Sequence, residues 1–153
     1  MQNETLEKED VVVRTLRPAD LEGVIRIDAK NVGSRREQYF QIKLDQNLAE
    51  TGIKISLAAE LDGAFVGFLL CRVHYGEFGV LEPAAILDTF GVDPLFQGRG
   101  VGHALMRQLR MNLSGLGVGE LRSEVRWEDA ALMNYFRREG FLPAPRICLS
   151  LKL

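Results

Sequence analysis

The sequence predicts a mixed α/β fold, in which strands and helices share one hydrophobic core. Three observations predict it. Apolar residues recur at helical spacing in several segments, whereas other segments alternate or run continuously as strands do. An Asp-Gly pair separates two of the strand-like segments, as in a hairpin. A glycine-rich turn joins another strand-like segment directly to a helix. The length of 153 residues suits a single domain.

The first part of the chain predicts a tail, one strand and two helices. Residues 1–10 are polar and charged, and we expect a flexible tail ahead of a domain that spans 11–153. VVVRTLR (11–17) is typical of a strand. Apolar residues at helical spacing predict a helix over 19–31, and the segment 35–50 predicts a second one.

The middle of the chain predicts three strands. KISLAAEL (54–61) and AFVGFLLCRVHY (64–75) flank Asp62-Gly63, a pair that suits tight hairpin turns. After a loop, AAILDTFGV (84–92) predicts a fourth strand in chain order.

Helices and strands alternate in the last third. GVGHALMRQLRMNLSGLG (100–117) has apolar residues three and four apart and predicts an amphipathic helix. ELRSEVRW (120–127) predicts a fifth strand, and DAALMNYFRREG (129–140) predicts a helix closed by glycine. ICLSLKL (147–153) alternates and predicts a final strand.

Composition argues against several classes of function. The net charge of −2 offers no basic surface for nucleic acid or an anionic membrane. Two cysteines and two histidines, which are widely separated, are too few for a metal cluster, so we expect no metal. The first ten residues lack the pattern of a secretory signal, and no segment is apolar enough to span a membrane. We therefore expect a cytoplasmic protein.

The stretch GVDPLFQGRGVGHALM (91–106) places four glycines within twelve residues, immediately before a helix. The first turn of a helix exposes unpaired N–H groups, and bare backbone lets a phosphate approach them. Arg99 and His103 lie at the rim of this turn. Neither the dinucleotide fingerprint nor the nucleotide P-loop fits the spacing. From the glycines alone, a phosphate cradle and a purely structural turn both stay open.

The same stretch resembles the cofactor loop of the GNAT superfamily of acyl-CoA-dependent N-acetyltransferases. The family pattern Gln/Arg-x-x-Gly-x-Gly/Ala is met by residues 97–102, after the usual Val-Asp-Pro at 92–94. MNYFRREGF (133–141) is similar to a second family signature, an aromatic residue four positions before Gly-Phe. The order of elements agrees from about residue 11 to residue 153. The resemblance implies a mostly antiparallel, twisted sheet, splayed between strands four and five and flanked by four helices.

The resemblance implies an enzyme that moves an acetyl or small acyl group from acetyl-CoA to a primary amine. The amine attacks directly, without a covalent enzyme intermediate, and the acceptor is a small molecule or a peptide N-terminus. Homodimers are common in the family. A module that binds acyl-CoA with little or no turnover is the second hypothesis, and a nucleotide-dependent enzyme built on the same turn is the third.

The resemblance also implies how CoA binds. Its pyrophosphate would rest on the N–H groups of residues 98–103, and its amide-rich pantetheine arm would pair with strand four like an added strand. A backbone N–H there, such as that of Phe90, would polarise the thioester carbonyl. The expected cofactor-binding residues are Phe90, Gly91, Val92, Gln97, Gly98, Arg99, Gly100, Val101, Gly102, His103 and Phe136.

Proton transfer needs further groups. Asp88 on strand four and Glu124 on strand five flank the expected splay and are candidate bases, although structural roles for both stay open. A bulge, common in this strand of the family, would decide which face Asp88 occupies. The family often protonates the leaving sulfur with a tyrosine where this chain has Phe136. The adjacent Tyr135 is the candidate acid, but one helical step is a rotation of about 100°, so a packing role stays open.

The absence of an evident strong base favours an acceptor amine of low pKa. At pH 7, deprotonating an α-amine with a pKa near 7.8 costs about 1 kcal/mol, whereas a lysine side chain costs roughly 4–5 kcal/mol. A peptide N-terminus or a small metabolite is therefore preferred over a lysine side chain.

Overall fold

Five strands form one sheet in the computed structural model, which describes residues 10–49 and 55–153. The strands are β1 (Val12–Thr15), β2 (Leu57–Leu61), β3 (Ala64–His74), β4 (Ala84–Val92) and β5 (Glu120–Ser123). The α-helices are α1 (Leu21–Val32), α2 (Glu37–Ala49), α3 (Val101–Gly115) and α4 (Ala130–Arg138). The strands follow chain order across the sheet; only β4 and β5 pair in parallel. The predicted mixed α/β class, with a mostly antiparallel sheet and four helices, is confirmed.

The chain divides into two compact units, Met1–Ser123 and Glu124–Leu153. The sheet and helices α1 to α3 belong to the first unit, and α4 belongs to the second. The predicted N-terminal tail lies almost entirely outside the described residues, which begin at Asp10.

Helices α1 and α2 cover one face of the sheet. Phe40 of α2 is fully buried and joins Phe68 and Leu70 of β3 in one hydrophobic cluster, with the two phenyl rings edge to face at 5.9 Å. The carboxylate of Asp28, on α1, accepts hydrogen bonds of 2.5 and 2.8 Å from the guanidinium of Arg36. Because Arg36 directly precedes α2, this ion pair fixes α2 against α1 and hence against the sheet.

Helix α3 packs on the opposite face. Successive residues of a strand point to opposite faces, so Gly67 faces away from the cluster that holds Phe68. A Cβ atom at Gly67 would lie only 2.9 Å from Cγ1 of Val101 and 3.2 Å from Cδ1 of Leu105. The missing side chain therefore lets the first turns of α3 lie directly on β3.

Asp93 anchors the turn between β4 and α3. Its side chain is buried, and its carboxylate accepts hydrogen bonds from the Leu95 N–H at 3.0 Å and from Lys30 Nζ at 2.9 Å. The Asp93 N–H donates to the carbonyl of Val66 at 2.8 Å. Burial opposes ionisation of Asp93, but the bonds from Lys30 and the Leu95 N–H outweigh it and hold its pKa below the usual range.

The predicted final strand at 147–153 is wrong. Residues 141–153 form no helix or strand, and Ile147, Leu149 and Leu151 are each at least 84% exposed. Alternating apolar residues favour a strand only where a neighbouring strand supplies hydrogen bonds, and the pattern does not specify that partner.

We predict that Lys30→Met lowers the free energy of unfolding by about 1–2 kcal/mol at neutral pH, because a buried carboxylate loses a charged partner that is itself partly exposed. The pKa of Asp93 is depressed by folding, so this stabilisation is present above about pH 4, the value of an unfolded aspartate, and is lost as the pH falls further. Urea unfolding should show that the difference in unfolding free energy between the two proteins becomes smaller near pH 3. A difference that is the same at every pH would mean that Lys30 acts through its aliphatic stem.

Candidate functional site

The site begins where β4 and β5 separate. Strand β5 pairs only with Ala84–Leu87, and the Ser123 hydroxyl donates to the Leu87 carbonyl at 2.9 Å. Strand β4 continues to Val92 and is paired there with β3. Within the described residues, the second edge of positions 88–92 is joined to no strand, so the predicted splay is present. An extended ligand could add to this edge as a strand does.

Asp88 is the extra residue of a β-bulge at this separation. Leu70 pairs with Thr89, and the next residue of β3, Cys71, already pairs with Leu87. Asp88 therefore has no residue opposite it, and the alternation of β4 changes at this point. The bulge that would decide the orientation of Asp88 is present.

Asp88 and Thr89 both face α2. The Asp88 Oδ2 atom lies 2.6 Å from Lys43 Nζ, and each side chain is about one-fifth exposed. The alignment is poor for a hydrogen bond, so the contact is an ion pair. The hydroxyls of Tyr39 and Thr89 are 3.4 Å apart.

Sequence reasoning missed Tyr39 and Lys43 as residues of the site. Their i, i+4 spacing puts them on one side of a helix, and the sequence alone could have predicted that they lie together. Nothing in the sequence, however, shows that this side meets β4.

The glycine corner is built as an anion cradle requires. Gly98 and Gly100 have φ values of +78° and +79°, which glycine adopts with little strain, and a Cβ at either would meet no atom within 4 Å. Gly100 is the N-cap of α3 and, having no side chain, cannot itself cap the helix. The helical bonding starts with the Ala104 N–H, which donates to the Gly100 carbonyl at 2.9 Å. A helix N-terminus beside open space favours a bound anion.

The structure separates the predicted site residues into two groups. Asp88, residues 90–92 and residues 97–103 form a continuous stretch of the first unit, from the bulge to the start of α3. Glu124 is not on strand five as predicted, because β5 ends at Ser123 and the Glu124 side chain is exposed. Trp127, the last residue of the predicted strand, is 95% exposed and lies outside β5. Short pairing with β4 explains both differences.

Tyr135 and Phe136 belong to α4 in the second unit. Asp129 caps this helix by accepting a hydrogen bond from the Leu132 N–H at 3.0 Å. Phe136 is buried and its ring centroid lies 4.7 Å from that of Phe141. Burial, assisted by the charge of Glu139, raises the pKa of Tyr135, which therefore stays protonated at neutral pH.

A separate open groove of about 440 Å³ lies between α1 and α2. It is lined by Leu21, Glu22, Ile25, Glu37, Gln38 and Gln41. Both of its carboxylates are already paired with Arg35, at 3.0 and 2.9 Å. None of the predicted catalytic or cofactor residues lines this groove.

The described residues contain neither a metal-ligand group nor a membrane-spanning helix. Over 10–49 and 55–153, no three His, Cys, Asp or Glu side chains are grouped so that they could hold a metal ion. Nor does any helix in that part of the chain have the length and apolar character needed to cross a membrane.

Comparison with known sequences identifies the family. The sequence profile of the Acetyltransferase (GNAT) family matches residues 21–141. The chain therefore belongs to this family, as the cofactor-loop resemblance predicted.

Individual relatives agree with this assignment. Over 107 residues the chain is 33% identical to an aminoglycoside N(6')-acetyltransferase type 1 of Stenotrophomonas maltophilia, covering 69% of this chain and 70% of that protein. Over 141 residues it is 28% identical to a mycothiol acetyltransferase of Rhodococcus erythropolis, covering 87% of this chain and 47% of that protein. The chain thus spans about half the length of the mycothiol acetyltransferases that it matches.

Solved structures agree on the fold. An aminoglycoside N-acetyltransferase in complex with CoA superposes with a TM-score of 0.77 at 19% identity, covering 94% of this chain and 95% of that one. The ribosomal-protein-S18-alanine N-acetyltransferase of Escherichia coli superposes with a TM-score of 0.71 at 24% identity, covering 88% of this chain and 79% of that one.

We predict that Lys43→Met and Asp88→Asn each lower the free energy of unfolding by about 1 kcal/mol, because each leaves a half-buried charge without its partner. The double variant should lose less than the sum of the two single losses, since no isolated charge remains. Chemical denaturation of the four proteins measures this coupling. Strictly additive losses would show that the two charges do not interact in solution.

Proposed function

We propose that this protein is an N-acetyltransferase that moves an acetyl or small acyl group from acetyl-CoA to a primary amine by direct attack. One observation carries the proposal: the edge of β4 at 88–92 that pairs with no strand in the described residues is followed, after a short turn at 93–97, by the glycine-rich start of α3 at 98–103. An open strand edge suits the amide-rich arm of CoA, and a helix N-terminus suits its pyrophosphate. Membership of the acetyltransferase family supports the same conclusion.

CoA would lie along this stretch from one end to the other. Phe90, Gly91 and Val92 would supply backbone groups to the pantetheine, with a β4 N–H polarising the thioester carbonyl. Residues 98–103 would supply N–H groups to the pyrophosphate, and Gln97, Arg99 and His103 would border it. A Cβ at Gly91 would lie 2.7 Å from the Phe68 ring, which explains glycine at that point of β4.

The amine would approach from the face that α2 covers, because Asp88 and Thr89 point that way. Asp88 is the proposed acceptor of the amine proton, directly or through water. Lys43 is the ion-pair partner of this carboxylate. An α-amine, which costs less to deprotonate than a lysine side chain, is the preferred acceptor. Glu124, exposed beyond the end of β5, is the second candidate.

Departure of the CoA thiolate completes the reaction. A thiol has a pKa near 8.5, so its thiolate is a tolerable leaving group even without an acid. The raised pKa of Tyr135 keeps its hydroxyl protonated, as a general acid requires. Phe136, where the family often has tyrosine, is the feature that favours the alternative, a module that binds acyl-CoA with little turnover.

We expect CoA to raise the melting temperature and acetyl-CoA to release free thiol when an N-terminal α-amine is present.

Gly100→Val should weaken CoA binding by about tenfold or more, because a β-branched residue is strained at this φ and distorts the cradle. Gly115→Val, at the far end of α3 with φ outside the positive range, is the matched control. If CoA binds but no amine causes acetyl-CoA to release free thiol, the binding module is the correct hypothesis and the enzyme is not. Stabilisation by ATP or NAD but not CoA would contradict both.

Asp88→Asn should lower kcat by about 100-fold near neutral pH if this carboxylate takes the amine proton. The loss should diminish as the pH rises above the pKa of the acceptor, where the free amine no longer needs a base. Glu124→Gln serves as the comparison and should leave kcat within about twofold. An equal loss at every pH would instead assign Asp88 a structural role at the bulge.

A further inference from the structure

Arg72 lies on the same face of the sheet as Asp88 and has one buried N–H without an acceptor in the described residues. Its side chain is partly buried, and its Nε atom is inaccessible yet donates to no acceptor in the part of the chain that the structure describes. Burying a guanidinium N–H without an acceptor is costly, so such a group calls for a partner from elsewhere, which is ordered water or a bound anion.

Register places a second arginine beside it. Arg72 is opposite Ile86 on β4, and Ile86 is opposite Arg122 on β5, so the three side chains share one face. Arg72 is two residues beyond Leu70, which packs in the cluster under α1 and α2, so this is the α2 face. The two arginines stand two strands apart, about 10 Å between their Cα atoms, within reach of one small anion.

The other charged side chains near Arg72 are paired with one another. The Arg122 Nε lies 2.7 Å from a Glu120 carboxylate oxygen, and Lys43 and Asp88 neutralise each other. His74, the next residue of β3 on this face, has its Nδ1 atom 2.5 Å from Glu77. Each neighbouring carboxylate on this face therefore already faces a cationic or histidine side chain.

We propose that Arg72, assisted by Arg122, binds a carboxylate carried by the acceptor, so that the preferred substrates are amines bearing an acidic group. This inference rests on the proposed function and names its substrate class. Arginine is suited to the role because its planar guanidinium matches a carboxylate with two parallel hydrogen bonds.

The spacing indicates where the acidic group lies in the acceptor. Ile86, between the two arginines, precedes Asp88 by two residues, which is about 7 Å along a strand. A carboxylate about two residues' length from the reacting amine matches a peptide whose second residue is acidic. Polycationic amines would meet Arg72 and Arg122 as like charges and be disfavoured.

Two peptide acceptors that differ by one carboxylate test the proposal. The peptides are Ala-Glu-Gly-amide and Ala-Gln-Gly-amide, whose α-amines are closely similar, and kanamycin serves as a polycationic amine. We expect wild-type kcat/KM to be at least about tenfold higher for the Glu peptide than for the Gln peptide. Arg72→Gln should remove most of this preference by raising KM for the Glu peptide while leaving kcat/KM for the Gln peptide within about twofold. Arg122→Gln should remove part of it.

Arg17→Gln is the matched control, because Arg17 is exposed and lies at the start of the turn that precedes α1. Arg72→Lys should restore part of the preference, since it keeps the charge but loses the paired geometry. Equal kcat/KM for the two peptides, a preference for kanamycin, or equal losses for both peptides in Arg72→Gln would overturn the inference. Failure of the proposed function is distinct, because then no amine releases thiol from acetyl-CoA.

Discussion

The short pairing between β4 and β5 is the constraint on which the rest of the site depends. The parallel ladder covers four residue pairs and ends where the Ser123 hydroxyl binds the Leu87 carbonyl. Beyond it the bulge at Asp88 reorients β4, and in the described residues no second strand lies along this edge of 88–92. A longer β5 would form hydrogen bonds with the backbone groups of β4 that an extended ligand needs. The gap between the two strands therefore exists because their pairing ends early.

Contacts on both sides hold this opening in shape. On one face, Asp28 and Arg36 fix α2 so that Lys43 reaches Asp88 and Tyr39 reaches Thr89. On the other face, Gly67 lets α3 approach the sheet. At the turn that follows β4, Lys30 of α1 forms an ion pair with Asp93. These contacts explain why the Val-Asp-Pro segment before the glycine corner has an aspartate: its buried carboxylate binds both the turn and a neighbouring helix.

The charge differs between the three parts of the site: the glycine corner, the bulge and the surroundings of Arg72. The glycine corner places the N-terminus of α3 beside open space, which suits a phosphate group. At the bulge, the charge of Asp88 is balanced by that of Lys43, and an amine of low pKa is the acceptor that is easiest to deprotonate there. Further along the face, Arg72 keeps a buried donor without an acceptor, which makes the acceptor side attractive to an anion rather than to a polycation.

The sequence by itself determined the mixed α/β class, the hairpin at Asp62-Gly63 and the glycine corner, because local periodicity, turn chemistry and glycine spacing encode them. Only the tertiary structure decided where β5 ends, and with it the exposure of Glu124 and the absence of a strand at 147–153. In α2, Phe40 is buried whereas Ile42 is 49% exposed, and the pattern alone did not separate them. Strand partners, register and the face a helix turns to the sheet depend on contacts between residues far apart in the chain, which local pattern does not specify.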